Sequence, residues 1–172
     1  MERVIYHRLM DWLIKYNKLH FYQNAYRSHH NNVDQLFYLC HTIDGLKMKP
    51  HRKTVAVFLD FPTAFDRVWS QKLVHICYNT GIKGNALIWI NDFLRDRKFS
   101  VRFNGVLSEL HKLRAGVPQG SVLSPFLFLI YMNTIQPDTK SAYYVDDTAV
   151  WLSHIDTAVS KEVINVENPW PT

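Results

Sequence analysis

Only two cysteines, Cys40 and Cys77, occur among 172 residues, and they form no metal-spaced pair. A cysteine-built metal centre is thereby excluded, and both thiols are expected to be buried and reduced. Nine histidines supply a single cluster, His29-His30. Adjacent residues on a helix or strand point apart, so no zinc site is expected there. Long hydrophobic runs are missing too. The longest, Phe126 to Met132, is far too short to span a bilayer, and Glu2, Arg3 and Arg8 leave no room for a signal-peptide core. A soluble intracellular protein with no membrane partner is expected. There is no internal repeat, low-complexity tract or clear linker, and only Glu167 to Thr172, with two prolines, reads as a frayed tail.

What is present is enough for one core. At 47% hydrophobic residues, a chain of this length reads as a single domain. Twenty Lys and Arg against 15 Asp and Glu give a net charge of +5, which favours an anionic partner such as nucleic acid. Arg95, Arg97, Lys98, Arg102, Lys112 and Arg114 crowd one stretch, interleaved with Phe99, Val101 and Phe103. Strand alternation sets Arg102 opposite those apolar side chains, toward solvent or a nucleic-acid duplex.

Helical spacing of apolar residues marks Val4 to Tyr16, and again Val33, Leu36, Phe37, Cys40 and Ile43, with Asn31 or Asn32 as cap. Gln71 to Asn79 reads as a helix closed by Gly81, and Ala86 to Leu94 as another. Phe99 to Phe103 alternates as a strand before the hairpin turn Asn104-Gly105. Ser124 to Ile135 reads as a helix with Ser124 as N-cap and Pro125 at its first position. The pattern predicts an α+β domain, a mostly antiparallel sheet covered by helices on one face.

The chemistry is carried by acids at the ends of strands. In Tyr143-Tyr144-Val145-Asp146-Asp147-Thr148-Ala149-Val150-Trp151-Leu152, two adjacent carboxylates lie between apolar, strand-like runs and are expected at the tip of a hairpin. Asp-Asp is also an ordinary turn pair, so it gains weight only with a second site. That site is Asp60, which ends the run Val55-Ala56-Val57-Phe58-Leu59, read as a central strand buried on both faces. A carboxylate on such a rigid support suits a metal ligand, and Asp60 with Asp146 would hold two hard cations bridging phosphate oxygens. Between them, two glycines in Ala115-Gly116-Val117-Pro118-Gln119-Gly120-Ser121 suggest a fixed loop whose backbone approaches a ligand.

In this order the motifs resemble those of reverse transcriptases from non-LTR (jockey-like, LINE-type) retrotransposons. Leu59 to Trp69 is similar to their first catalytic motif, Ala115 to Tyr131 to the second and Tyr144-Val145-Asp146-Asp147 to the third. Gln23-Asn24-Ala25-Tyr26-Arg27-Ser28 resembles a fingers segment that usually reads Gln-x-Gly-Phe-Arg. The chain departs from the pattern at Ala25, Pro62, Thr134 and Val145. The resemblance implies a polymerase palm over about 54–166 and fingers-like helices over about 1–53, with the thumb missing.

It also implies an RNA-directed DNA polymerase that copies an RNA template from a DNA primer with deoxynucleoside triphosphates, using Mg2+ or Mn2+. Asp60 and Asp146 would be the metal ligands with the Phe61 carbonyl, and Asp147 would add charge. Phe65 would be the steric gate against a 2′-hydroxyl, Gln119 and Gly120 would line the nucleotide, and Arg27 would touch template. Nucleus and cytoplasm both suit a retroelement protein. The alternative is a truncated remnant that binds nucleic acid without polymerising, and a metal-dependent nuclease is a third reading. Oligomeric state is left open.

Overall fold

The computed structural model describes residues 1–21, 23–47, 52–135 and 139–166, so the tail expected to fray lies outside the described residues. In chain order the elements are α1 (Glu2–Lys15), α2 (Asn32–Lys47), β1 (Lys53–Leu59), a 3-10 turn (Ala64–Arg67), α3 (Ser70–Thr80), α4 (Asn85–Leu94), β2 (Lys98–Phe99), β3 (Arg102–Phe103), β4 (Val106–Leu107), β5 (His111–Lys112), α5 (Ser124–Met132), β6 (Lys140–Tyr144), β7 (Asp147–His154) and α6 (Thr157–Val166). They form two compact units, one from Met1–Trp12 and Thr63–Tyr131, the other from Leu13–Pro62 and Met132–Thr172. No helix among the described residues is long and apolar enough to cross a membrane.

The first unit is built around α5, whose Phe126 to Ile130 are all buried. A helix apolar on every side must be enclosed on every side. Tyr6 of α1 meets Phe126 edge to face, with ring centroids 6.1 Å apart. Gly81 ends α3 as its spacing predicts, with φ of 113° and its amide bonded back to the carbonyls of Cys77 and Tyr78. A Cβ there would meet the Trp12 ring at 3.1 Å, so glycine serves both the turn and the packing. Burial pushes the Cys77 thiol up to about 12 and leaves it inert.

The helix expected to reach Ile135 ends at Met132. Ser124 does not cap it, because its hydroxyl donates to the Pro118 carbonyl at 2.6 Å and so ties the preceding loop to the helix. The strand expected over Phe99 to Phe103 is split in two. Lys98 and Phe99 pair with Lys112 and His111, whereas Arg102 and Phe103 pair with Leu107 and Val106. Between these ladders Ser100 alone faces Glu109 and Leu110, a bulge that shifts the register by one residue. The turn at Asn104-Gly105 forms as expected, with φ positive at both residues.

The second unit carries a three-stranded antiparallel sheet in the order β1-β7-β6. β1 is thus an edge among the described strands, not the central strand buried on both faces that its apolar run suggests. Phe58 is exposed, because an antiparallel sheet needs only one covered face where a parallel one needs two. Trp151 of β7 is fully enclosed, and the Tyr38 ring of α2 meets it edge-on at 5.5 Å.

Asn31 settles the choice of cap for α2. Its side-chain oxygen accepts the amides of Val33 and Asp34, and Asp34 accepts the Asn31 amide in return. The stripe Val33, Leu36, Phe37 and Cys40, expected to be the buried face, points outward, and the exposed Cys40 corrects the expectation that both thiols are buried. The inward side is carried instead by Gln35, which is buried and donates its amide to the Tyr143 carbonyl at 3.1 Å, and by Tyr38 against Trp151.

Replacing Trp151, which is 0% exposed, by Ala is expected to cost about 3–5 kcal/mol in chemical denaturation. Phe37→Ala, on the outward face at 72% exposure, is expected to cost under about 0.5 kcal/mol.

Candidate active site

The acids singled out in the sequence gather at one end of the sheet of the second unit. Tyr144 of β6 pairs with Asp147 of β7, so the hairpin turn is Val145-Asp146, and Asp147 is the first residue of the strand rather than part of the tip. In the other ladder Leu59 pairs with Thr148. Continuing that register by one residue sets Asp60 opposite Asp147, with Asp146 next to it in the turn. Asp60 and Asp147 are exposed, and Asp146 and Phe61 are half-buried.

Asp60 and Asp147 share a sheet face with Phe58, Ala142, Tyr144 and Ala149. The face and the N-terminal half of α2 enclose a groove of about 410 Å3, with Asp60 and Asp147 among its lining residues and Asn32 and Gln35 opposite. None of Asp60, Asp146 and Asp147 has a cationic or hydrogen-bonding partner among the described residues. Like charges facing each other across two strands are destabilising, and nothing among the described residues offsets them.

The donors gathered here are carboxylate oxygens, a hard set that suits Mg2+ or Mn2+ rather than zinc or copper. Among the described residues no three His, Cys, Asp or Glu side chains close into a metal cage. An open edge of two or three carboxylates matches the habit of Mg2+, which fills the rest of its octahedron with waters and substrate oxygens.

Two β-branched residues hold backbone angles that cost about 1–2 kcal/mol each. They are Val145 at φ 59°, immediately before Asp146, and Thr63 at φ 56°, three residues after Asp60. Such strain persists where the surroundings impose it, and it clusters at functional positions. The segment Gln23 to Arg27 lies along the open side of β6, where Gln23 forms a parallel bridge with Tyr143. Gln23 is buried and its side-chain oxygen accepts the Ala25 amide. Arg27 is half-buried and donates to the Gln23 carbonyl at 3.2 Å.

Phe65, Gln119 and Gly120 belong to the first unit, where the 3-10 turn and the second-motif loop are fastened together. The Gly116 amide donates to Val68 O at 2.7 Å and the Val117 amide to Phe65 O at 2.9 Å. The Phe65 ring stacks on Phe128 of α5, centroids 4.5 Å apart and 17° from parallel. Gln119 donates its side-chain amide to Asp66 at 3.0 Å, and nothing lies within 4 Å of where a Cβ on Gly120 would be. Arg102 stands exposed on β3.

Sequence reasoning passed over Asp66 and Glu2, and gave Gly116 a ligand rather than protein as its close neighbour. Gly116 is the glycine pressed against protein, since its Cβ would lie 3.0 Å from Asp66 Cα and O. Asp66 aims Gln119. Glu2 accepts both the Ser121 hydroxyl at 2.9 Å and the Val122 amide at 3.0 Å, placing a carboxylate beside the start of α5. The only signal in the sequence was that each lies within or near a motif.

The family model described as Reverse transcriptase (RNA-dependent DNA polymerase) matches residues 1–168. The RNA-directed DNA polymerase from mobile element jockey of Drosophila melanogaster is 30% identical over 161 residues, 87% of this chain and 17% of that protein. The probable RNA-directed DNA polymerase from transposon X-element of the same organism is 36% identical over 141 residues, 75% of this chain and 15% of that protein. The chain therefore spans about a sixth of the length of these relatives. A solved structure of telomerase from Candida albicans in complex with a fragment of telomeric RNA has the same fold, with a TM-score of 0.65 at 15% identity, over 96% of this chain and 32% of that one.

Gly116→Ala combines a positive φ with a clash against backbone and is expected to cost about 2–3 kcal/mol in thermal or chemical unfolding. Gly120→Ala, where only the φ of 84° is unfavourable, is expected to cost about 1 kcal/mol.

Proposed function

The chain belongs to the reverse transcriptase family, and from that premise we propose that it is the polymerase core of a non-LTR retrotransposon protein. It would extend a DNA primer along an RNA template with deoxynucleoside triphosphates. Residues 54–166 would act as palm and residues 1–53 as fingers-like helices. The observation that carries this reading is the set of three carboxylates at one end of the sheet, two of them in facing register, with no side-chain partner among the described residues.

Mg2+, or Mn2+ in its place, would be held by Asp60 and Asp146 with the Phe61 carbonyl, and bound there would supply Lewis acidity toward the primer hydroxyl and the triphosphate oxygens. Asp60 contributes position, since it ends a strand whose seven residues are all paired to β7. Asp146 contributes it through a two-residue turn closed by the Tyr144–Asp147 pair. Asp147 adds negative charge.

Phe65 would exclude a 2′-hydroxyl, and its stacking on Phe128 supports this by giving the ring a rigid backing. Gln119, aimed by Asp66, and Gly120, whose missing side chain leaves open space, would line the nucleotide. Arg27 and Arg102 would contact nucleic-acid phosphates.

Primer extension on an RNA template with magnesium and deoxynucleotides tests the reading. Asp60→Asn and Asp146→Asn are each expected to lower extension by at least about 100-fold while template binding stays near that of the parent. Asp147→Asn is expected to lose less. Equal loss of binding and extension would contradict the assigned roles, and no extension by the parent despite intact RNA binding would leave a nucleic-acid-binding domain. Phe65→Ala is expected to raise ribonucleotide incorporation at least about tenfold; unchanged sugar selectivity would remove the gate.

A further inference from the structure

The stretch from Arg95 to Arg114 holds six cations and two acids, Asp96 and Glu109. The ribbon of β2 to β5 sorts them. Lys98 lies directly opposite Lys112, and alternation along the unbulged strand puts Arg102 on the same face. Phe99, Val101 and Phe103 occupy the other face, where the His111 ring meets Phe99 at 5.9 Å. Every residue from 98 to 112 is exposed, so this sorting is not imposed by a core.

At its base the cationic face runs into a cavity of about 590 Å3. Arg95, Lys112 and Arg114 line it on one side, and Gln71 of α3 and Asn91 of α4 supply neutral donors on the other. Asp96 bonds Lys112 at 2.9 Å and Arg95 at 3.1 Å, and Lys112 is the main reason its carboxyl titrates below the ordinary range. Lys98, Arg102 and Arg114 have no anionic partner among the described residues. Asp96 offsets Lys112 but not Lys98, which faces Lys112 across the ladder, and an anion reaching both lysines would be stabilising.

We propose that this face and cavity form a binding site for the phosphate backbone of an RNA strand, built wholly from the first unit and centred on Lys98, Lys112 and Arg114. A single phosphate is too small an occupant. Lys98 and Arg102 are about 13 Å apart along the strand at about 3.3 Å per residue, and the cavity extends the row further. A regular line of anions of that length is a polynucleotide, with Gln71 and Asn91 placed to meet phosphate or sugar oxygens. The choice of RNA rests on the proposed function. The site itself needs neither the carboxylates nor the bound cation, and it extends the contact proposed for Arg102 into a continuous grip on the template.

Binding of a fluorescently labelled 20-nucleotide uridylate strand to the full chain, measured by anisotropy from 50 to 200 mM salt, tests this without nucleotides or divalent metal. The triple variant Lys98→Gln/Lys112→Gln/Arg114→Gln is expected to bind at least about tenfold more weakly. The slope of log K against log salt should shrink by about 2, as three lost phosphate contacts on a single strand require. All three side chains are exposed, so circular dichroism and thermal unfolding should match the parent.

The control Lys15→Gln/Lys18→Gln/Lys161→Gln removes the same charge from exposed positions elsewhere and is expected to change affinity less than about twofold. Equal weakening in both variants would reduce the effect to net charge and overturn the site. So would displacement of RNA by polyglutamate as readily as by unlabelled RNA, since that describes an acidic-protein surface. Failure of primer extension alongside selective weakening in the first variant would remove the polymerase reading and keep this one.

Discussion

The antiparallel register of β1, β7 and β6 is the constraint on which the candidate site depends. Seven consecutive pairs fix β1 against β7 and five fix β6 against β7, so neither ladder can slip without turning every side chain to the other face. Trp151, fully enclosed in the middle strand, pins that face. From this follow the placing of Asp60 opposite Asp147 and the two-residue turn that carries Asp146. The carboxylates do not hold themselves in place; they sit where two ladders end. Their repulsion is tolerated because the sheet is stabilised elsewhere, a local cost of the kind found where a ligand completes a site.

A second fastening governs the first unit. The amides of Gly116 and Val117 bond the carbonyls of Val68 and Phe65, drawing the second-motif loop onto the 3-10 turn. Only a residue without a Cβ can approach Asp66 this closely. Phe65, Gln119 and Asp66 are then oriented by backbone contacts and by the stack on Phe128 rather than by their own rotamers. Glu2, from a helix more than a hundred residues away in sequence, joins the same loop.

Much of this was legible in the sequence because it is written in local chemistry. The Gly81 stop, the Asn104-Gly105 turn and the cap at Asn31 each follow from one or two residues. The antiparallel α+β class followed from the order of helical and strand patterns, and the family from the order of the motifs. What failed to show was tertiary. The apolar run of β1 looked central, yet it lies at an edge, since a run of hydrophobic residues does not say how many neighbours a strand has. The stripe on α2 looked buried, but the inward side is carried by Gln35 and Tyr38 instead. The same limit hid Asp66, Glu2 and the backbone neighbour of Gly116, since these contacts join residues distant in the chain.

The central claim is that Asp60 and Asp146 form one divalent-cation site at the end of the sheet. Titration of the chain with Mn2+, followed by the loss of the free-ion electron paramagnetic resonance signal, addresses it directly. Bound Mn2+ in the parent, displaced by Mg2+ and lost in both Asp60→Asn and Asp146→Asn, is the expected result. Mn2+ binding that survives either substitution unchanged would contradict the claim.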